Sequence, residues 1–179
     1  AIAEAAVKAQ HFYEGSGYKV NRMSWIKPNF LWMMFRSGWA AKQNQERILS
    51  IRLPRENFLE ILRDGVFAMF KEVGDLYARD DRQRWEEDLK THTTRIQWDP
   101  DHTPRGSKTA RRAIQLGIKE DIRKKFATEW DIEIDDITEF VQEQREHVEE
   151  DNLEALLVIS EQSFEFDDLD LKKKVGLPQ

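Results

Sequence analysis

The chain of 179 residues has no cysteine. Disulfides, thiolate metal sites and cysteine nucleophiles are excluded together, and a reducing compartment fits that composition. Glycine and proline are sparse, at 8 and 5 residues, so no glycine-rich linker or low-complexity tract divides the chain. Long apolar runs are also missing. The longest is the six residues from Phe30 to Phe35, where about 18 to 20 are needed to cross a bilayer, so no membrane-spanning helix is expected. The opening "AIAEAAVKAQ" interrupts its alanines with Glu4 and Lys8. It therefore reads as a helix rather than a secretory leader, and as a trimmed or processed start. A cytoplasmic or nuclear location is expected.

The aromatic fraction of 11% and apolar fraction of 40% belong to a folded chain with a core, of a length suited to one domain. The net charge of −6 hides an asymmetry. Residues 129–170 hold 17 acids and one base, Arg145, whereas residues 1–128 hold 24 Lys and Arg against 17 acids. The basic front suits phosphate or nucleic acid, and the simpler reading is that the two halves neutralise each other across the fold. The acidic end could also dock a basic partner.

Periodicity places the elements. A helix is expected from Ile2 to about Tyr13, broken by "EGSG". A short helix, apolar on every side and hence buried, is expected over 29–37 between Pro28 and Gly38. "ERILSIRL" (46–53) reads as a strand, "PRENFLEILRDG" (54–65) as a helix with Phe58, Ile61 and Leu62 inward, and residues 80–91 as a charged helix with Trp85. "TTRIQWDP" (93–100) alternates as a half-buried strand does, and "RRAIQLGI" (111–118) is its expected partner. A helix over 119–127, a strand in "WDIEIDDI" (130–137) and a surface helix over 137–150 follow. The expected class is α+β: a compact mixed or antiparallel sheet with packed helices over residues 1–150. The acidic segment 151–179 should pack on it or trail from it.

Several chemistries fail on spacing. "PRGSKT" (104–109) lacks the leading glycine and the adjacent Gly-Lys of a phosphate loop, and no dinucleotide glycine motif or serine-hydrolase elbow occurs. His11, His92, His102 and His147 are far apart. "DPDH" (99–102) offers two carboxylates and an imidazole, but sequence neighbours do not converge on one ion without a special turn, so no metal is expected. What remains is a set of amides and guanidinium groups: Arg36 behind the apolar helix, Gln45 and Glu46 before the first clear strand, and Gln97, Arg112 and Gln115 within the later strands. Glutamine amides suit bases and ribose, and arginine forks suit phosphate. Trp39 is a candidate stacking platform. The plainer reading pairs Arg36 with Glu46 and lets the glutamines stitch neighbouring strands.

The blocks "MSWIKPNFLWMMFRSGWAAKQNQERILSIRL" (23–53), "RIQWDPDH" (95–102), "RRAIQLGI" (111–118) and "WDIEIDDIT" (130–138) resemble successive blocks of the domain of unknown function 4291 family, whose hallmark is Trp-Met-Met-Tyr-Arg-Ser-Gly-Trp. Here Phe35 stands in place of the tyrosine and Ala41 where threonine is common. Members usually begin with a further strand containing Tyr-Gln-Ala-Tyr, whereas this chain opens at the alanine-rich helix. The element order is also similar to ADP-ribosyltransferases, which hold NAD between two small sheets. That similarity implies an NAD-dependent transfer in which Arg36 grips the pyrophosphate and Gln45 or Glu46 orients the ribose. Glu46 would support the cationic sugar as nicotinamide leaves, Trp39 and Gln97 would line the cofactor, and Arg112 and Gln115 would face the acceptor. The alternative is a non-catalytic module that binds nucleotide or RNA.

Overall fold

The computed structural model describes residues 1–73, 76–77 and 81–177. Among these, six strands form two sheets. β1 (Ser24–Ile26), β3 (Gly65–Phe67), β4 (Thr94–His102) and β5 (Lys108–Ile118) make a mixed sheet in the order β1-β5-β4-β3. Its β1–β5 and β5–β4 pairs are antiparallel and β3–β4 is parallel. β2 (Leu49–Arg52) and β6 (Glu133–Asp136) form a separate antiparallel pair. The class is α+β.

The expected strands are present with altered limits. The strand over 46–53 contracts to Leu49–Arg52, because only those residues pair with β6. The strand expected from Trp130 begins at Glu133, since a wide helical turn at Lys125–Glu129 still draws the Trp130 N–H to Lys125 (2.8 Å). β1 and β3 were not foreseen. Each has three residues, too few for a period, and is defined by its neighbour rather than by its own pattern. β4 and β5 run further than expected, through "DPDH" to the hairpin tip.

The first helix, α1 (Ile2–Ala9), ends before Tyr13 because Gln10 turns left-handed (φ 56°). Its amide then bonds both backbone groups of Ile134, donating at 2.9 Å and accepting at 2.7 Å, which closes one edge of β6. α3 (Arg55–Arg63) buries Leu59, Ile61 and Leu62 against the sheet. α4 (Arg82–Thr91) seats Trp85, whose indole N–H reaches the Phe67 carbonyl at 2.9 Å; residue 80, expected to begin this helix, lies outside the described residues. The main core runs through Ile96, Leu116 and Ile118 of the sheet to Phe126 and Ile134, and takes in Phe166, Leu171 and Val175 of the C-terminal segment. Burying such side chains contributes about 1.5–3 kcal/mol each.

α2 (Phe30–Ser37) departs from its expectation. Phe30, Met34 and Ser37 are buried, Leu31, Trp32 and Met33 are half-buried, and Phe35 and Arg36 are exposed. The helix lies across β4 on the face of the sheet away from the main core, so it covers polar groups with one side and meets water with the other. A second, smaller core of Phe30, Met34, Trp39, Ile48 and Val141 joins it to α6 (Thr138–Glu149). Its exit is unusual: Gly38, Trp39 and Ala40 all have positive φ (58°, 53° and 63°). Such a turn is strained for side chains other than glycine. It is held by the buried Trp39, whose indole N–H donates to Pro104 at 3.1 Å, and by the Ala40 N–H on the Ser37 hydroxyl at 3.3 Å.

The charge halves meet as the simpler reading expects. Arg47 pairs with Asp136, Arg52 with Glu133 and Asp135, Arg105 with Asp151, and Arg111 with Glu161.

Candidate functional site

Strand alternation sends Ile96 and Trp98 of β4 into the main core and turns Gln97 and Asp99 to the opposite face. The register sets Gln115 of β5 directly across from Gln97 and the fully buried Ala113 across from Asp99. Between Pro100 and His102 the register is irregular, and both Asp101 and His102 become buried.

Lys27 follows β1 and reaches over this face. Its side chain is only 2% exposed and its Nζ lies 3.0 Å from Asp99 Oδ2. The ammonium also sits 3.4 Å from the centre of the Trp32 ring of α2. The other oxygen of Asp99 accepts from the Gln97 amide at 3.1 Å, so the carboxylate is fixed from two sides. Burial pushes the Lys27 amine down to about 8, against the pull of Asp99 in the other direction. An amine poised that near neutrality can carry or release a proton at ordinary pH.

Asp101 forms the next contact along the strand. One oxygen accepts the His102 N–H (2.8 Å) and the other accepts Arg111 Nε (2.8 Å). Arg111 also holds Glu161, which in turn accepts the Phe30 N–H at 2.7 Å and the Asn29 amide at 3.3 Å at the start of α2. The His102 ring stacks flat on Phe35, with centroids 3.7 Å apart and planes within 8°. Neither ring nitrogen has a hydrogen-bond partner among the described residues, and burial pushes the imidazole's pKa down.

At the other end of the face Trp25 lies over Gly117. A Cβ at Gly117 would stand 2.9 Å from the indole and 2.7 Å from the Met23 sulfur. The absence of a side chain there lets the ring settle on the sheet, with 47% of the residue still exposed. The result is an open strip: an indole platform, two opposed amides, and a buried amine beside α2.

The residues singled out from sequence divide among several places. Gln97 and Gln115 come together on this face. Arg112, opposite Pro100, donates to the Trp98 carbonyl. Trp39 is buried with its donor used. Arg36 is exposed in the last turn of α2, and the Arg36–Glu46 ion pair does not form. Glu46 is exposed in the loop before β2, where its own N–H and that of Asn44 (2.9 Å) hold the carboxyl below its usual range. Gln45 is half-buried beside it. No hydrogen bond or ion pair joins Gln45 or Glu46 to the four-stranded sheet among the described residues. Sequence reasoning missed Lys27 and Arg111, and weighed Asp99 and Asp101 of "DPDH" only as metal ligands. The signal was there for the carboxylates: continuing the alternation of "RIQWDP" one step beyond Trp98 puts Asp99 on the face of Gln97. Among the described residues no three acidic or histidine side chains are grouped to hold a metal ion, and no helix is long and apolar enough to cross a membrane.

No curated protein and no solved structure matches the chain. A family profile does, over residues 1–164, and it covers each block that carries the resemblance: the chain belongs to the family described as Domain of unknown function (DUF4291).

Proposed function

We propose that this domain binds a phosphate-bearing dinucleotide of the NAD type on the strip between Trp25 and α2 and transfers its ADP-ribosyl group. The observation that carries the reading is the Gln97–Gln115 pair. The two residues stand directly opposite each other in the strand register and are half-buried, with the Gln97 amide already on Asp99, an exposed indole to one side and the Lys27–Asp99 pair to the other. Amides of this kind read bases and ribose hydroxyls, and an indole face accepts a base by stacking. In the transfer, the bond from the ribose C1′ to the nicotinamide nitrogen breaks and its electron pair leaves with nicotinamide. The acceptor nucleophile then bonds to C1′ and gives up its proton to Asp99. A carboxylate on the same face stabilises the positive charge that develops on the sugar. Asp99 stands on that face, while Glu46 is the residue that the similarity to ADP-ribosyltransferases implies.

Calorimetry with NAD and ADP-ribose tests the binding, using the natural chain and a Gln97→Leu, Gln115→Leu double variant. Both ligands should bind the natural chain, and the double variant should lose at least tenfold in affinity, in line with unpaired polar groups costing roughly 1–3 kcal/mol. No heat with either ligand, or equal affinity in both chains, refutes the reading. Asp99→Asn against Glu46→Gln then assigns the carboxylate, since only the one that serves the reaction abolishes transfer while leaving binding in place.

A second reading is a nucleic-acid binder without catalysis. Arg36, Lys108 and Arg112 favour it, because they are exposed and have no carboxylate partner among the described residues. Affinity for a single-stranded RNA that falls steeply with salt, with no response to NAD, would support that reading instead.

A further inference from the structure

Residues 150–168 cross from α6 to α7 (Leu169–Lys174) without helix or strand. The segment is fastened at both ends. Near its start the Leu157 N–H donates to the buried Gln144 amide oxygen at 2.7 Å, and near its end Phe166 enters the main core. From Leu157 to Ile159 the side chains face water, at 64%, 44% and 48% exposure, and further on Phe164 meets the Phe58 ring at 4.9 Å between centroids while Arg55 donates to the Glu165 carbonyl. At the middle of this strap, Glu161 plants its carboxylate on Arg111, the Phe30 N–H and the Asn29 amide.

Those three donors are a set that an anionic ligand group would use. Arg111 presents a guanidinium already aligned by Asp101, whose side chain is 4% exposed, and Asn29 adds a neutral donor. The same guanidinium is tied through Asp101 to the strand that carries Asp99 and Gln97, so the carboxylate from the strap sits beside the proposed nucleotide strip. A carboxylate and a phosphate oxygen make equivalent demands on an arginine fork.

We propose that Glu161 is an internal competitor: the strap occupies the place of the ligand's phosphate group, and the ligand enters by displacing it. This inference rests on the proposed nucleotide reading. A chain whose binding-competent form is only a fraction of the whole binds with affinity reduced by that fraction. Removing the Glu161 charge therefore raises affinity without adding any contact. Two anchored ends let the middle of the strap lift while Phe166, Leu171 and Val175 stay in the core.

The test is calorimetry of inorganic pyrophosphate and of ADP-ribose on the natural chain, on Glu161→Gln and on Glu161→Gln with Arg111→Gln. Hydrogen exchange of residues 155–163 is followed with and without ligand. Glu161→Gln should bind both probes at least tenfold more tightly, the added Arg111→Gln should remove the gain, and ligand should speed exchange in the strap of the natural chain. A thermal melt of each variant confirms that it is folded. Equal affinity of the natural chain and Glu161→Gln, or slower strap exchange with ligand, overturns the inference. If ADP-ribose binds both chains equally well, the nucleotide reading survives and the competitor falls. If pyrophosphate gains from Glu161→Gln while ADP-ribose binds no better than pyrophosphate, the competitor stands and the nucleotide reading falls. No binding of either probe to any chain sinks both.

Discussion

Raising the pH from 7 to 10 should stabilise this protein through Lys27. Its ammonium is nearly sealed from water and titrates at about 8 in the fold, compared with 10.5 for an ordinary lysine. Below pH 8 the folded and unfolded chains both carry the proton, and Lys27 adds no slope. Between 8 and 10.5 the folded amine has released a proton that the unfolded one still holds, so the unfolded state binds more protons and stability rises with pH. Each unit is worth about 1.4 kcal/mol, which makes the gain between pH 8 and 10 roughly 2–3 kcal/mol. Other groups also titrate over this range, so the quantity to measure is a difference. Urea unfolding of the natural chain and of Lys27→Met at pH 7, 8, 9 and 10, at constant ionic strength, cancels whatever the two chains share. The Asp99 carboxylate keeps its Gln97 partner in the variant, so the comparison isolates the amine. The natural chain should gain on the variant steadily from pH 8 upward. A difference that stays constant to within about 0.5 kcal/mol over the whole range would mean that the amine is solvated in the fold. The geometry around Trp32 and Asp99 would then have been misread.

His102 should act on the other side of neutrality. Its pKa is lowered by burial, so the unfolded chain takes up a proton first as pH falls through about 6.5 and stability drops; His102→Phe, which keeps the stacking on Phe35, should flatten the thermal-melt profile between pH 7 and 5. Gly65→Ala should cost about 1–3 kcal/mol in urea unfolding, because the added methyl would stand 2.4 Å from Ile96 and 2.9 Å from the Leu62 carbonyl. Gly117→Ala should cost less, since its obstacles are the flexible Met23 tip and the exposed Trp25 ring. It should instead shift the tryptophan emission and weaken ADP-ribose binding, and an unchanged emission spectrum would refute the account of how Trp25 is seated.

Local pattern was legible wherever the chain ran long enough to show a period. The alternation of Ile96 and Trp98 against Arg95 and Gln97 gave β4, and Phe58, Ile61 and Leu62 on one side of a short repeat gave α3, although the fold buries Leu59 and leaves Phe58 half-buried. The blocks around "FLWMMFRSGW" pointed to the family. The same stretch misled on burial. Six apolar residues in a row read as a helix sunk in a core, yet α2 rests on a polar sheet face, where Trp32 covers an ammonium and Phe35 covers an imidazole. An apolar ring satisfies either environment, and sequence alone does not say which one it meets.

The sequence by itself determined the types of the longer elements, the α+β class, the family and the opposed charges of the two halves, because each follows from neighbours within a few residues or from composition. The tertiary structure decided which charges meet. Lys27 and Asp99 are 72 residues apart, and Asn29 and Glu161 are 132 apart. β1 and β3 exist only because β5 and β4 offer them an edge. Pairing over such separations is set by strand order and register, and a carboxylate or an ammonium has no local signature of the partner it will find there.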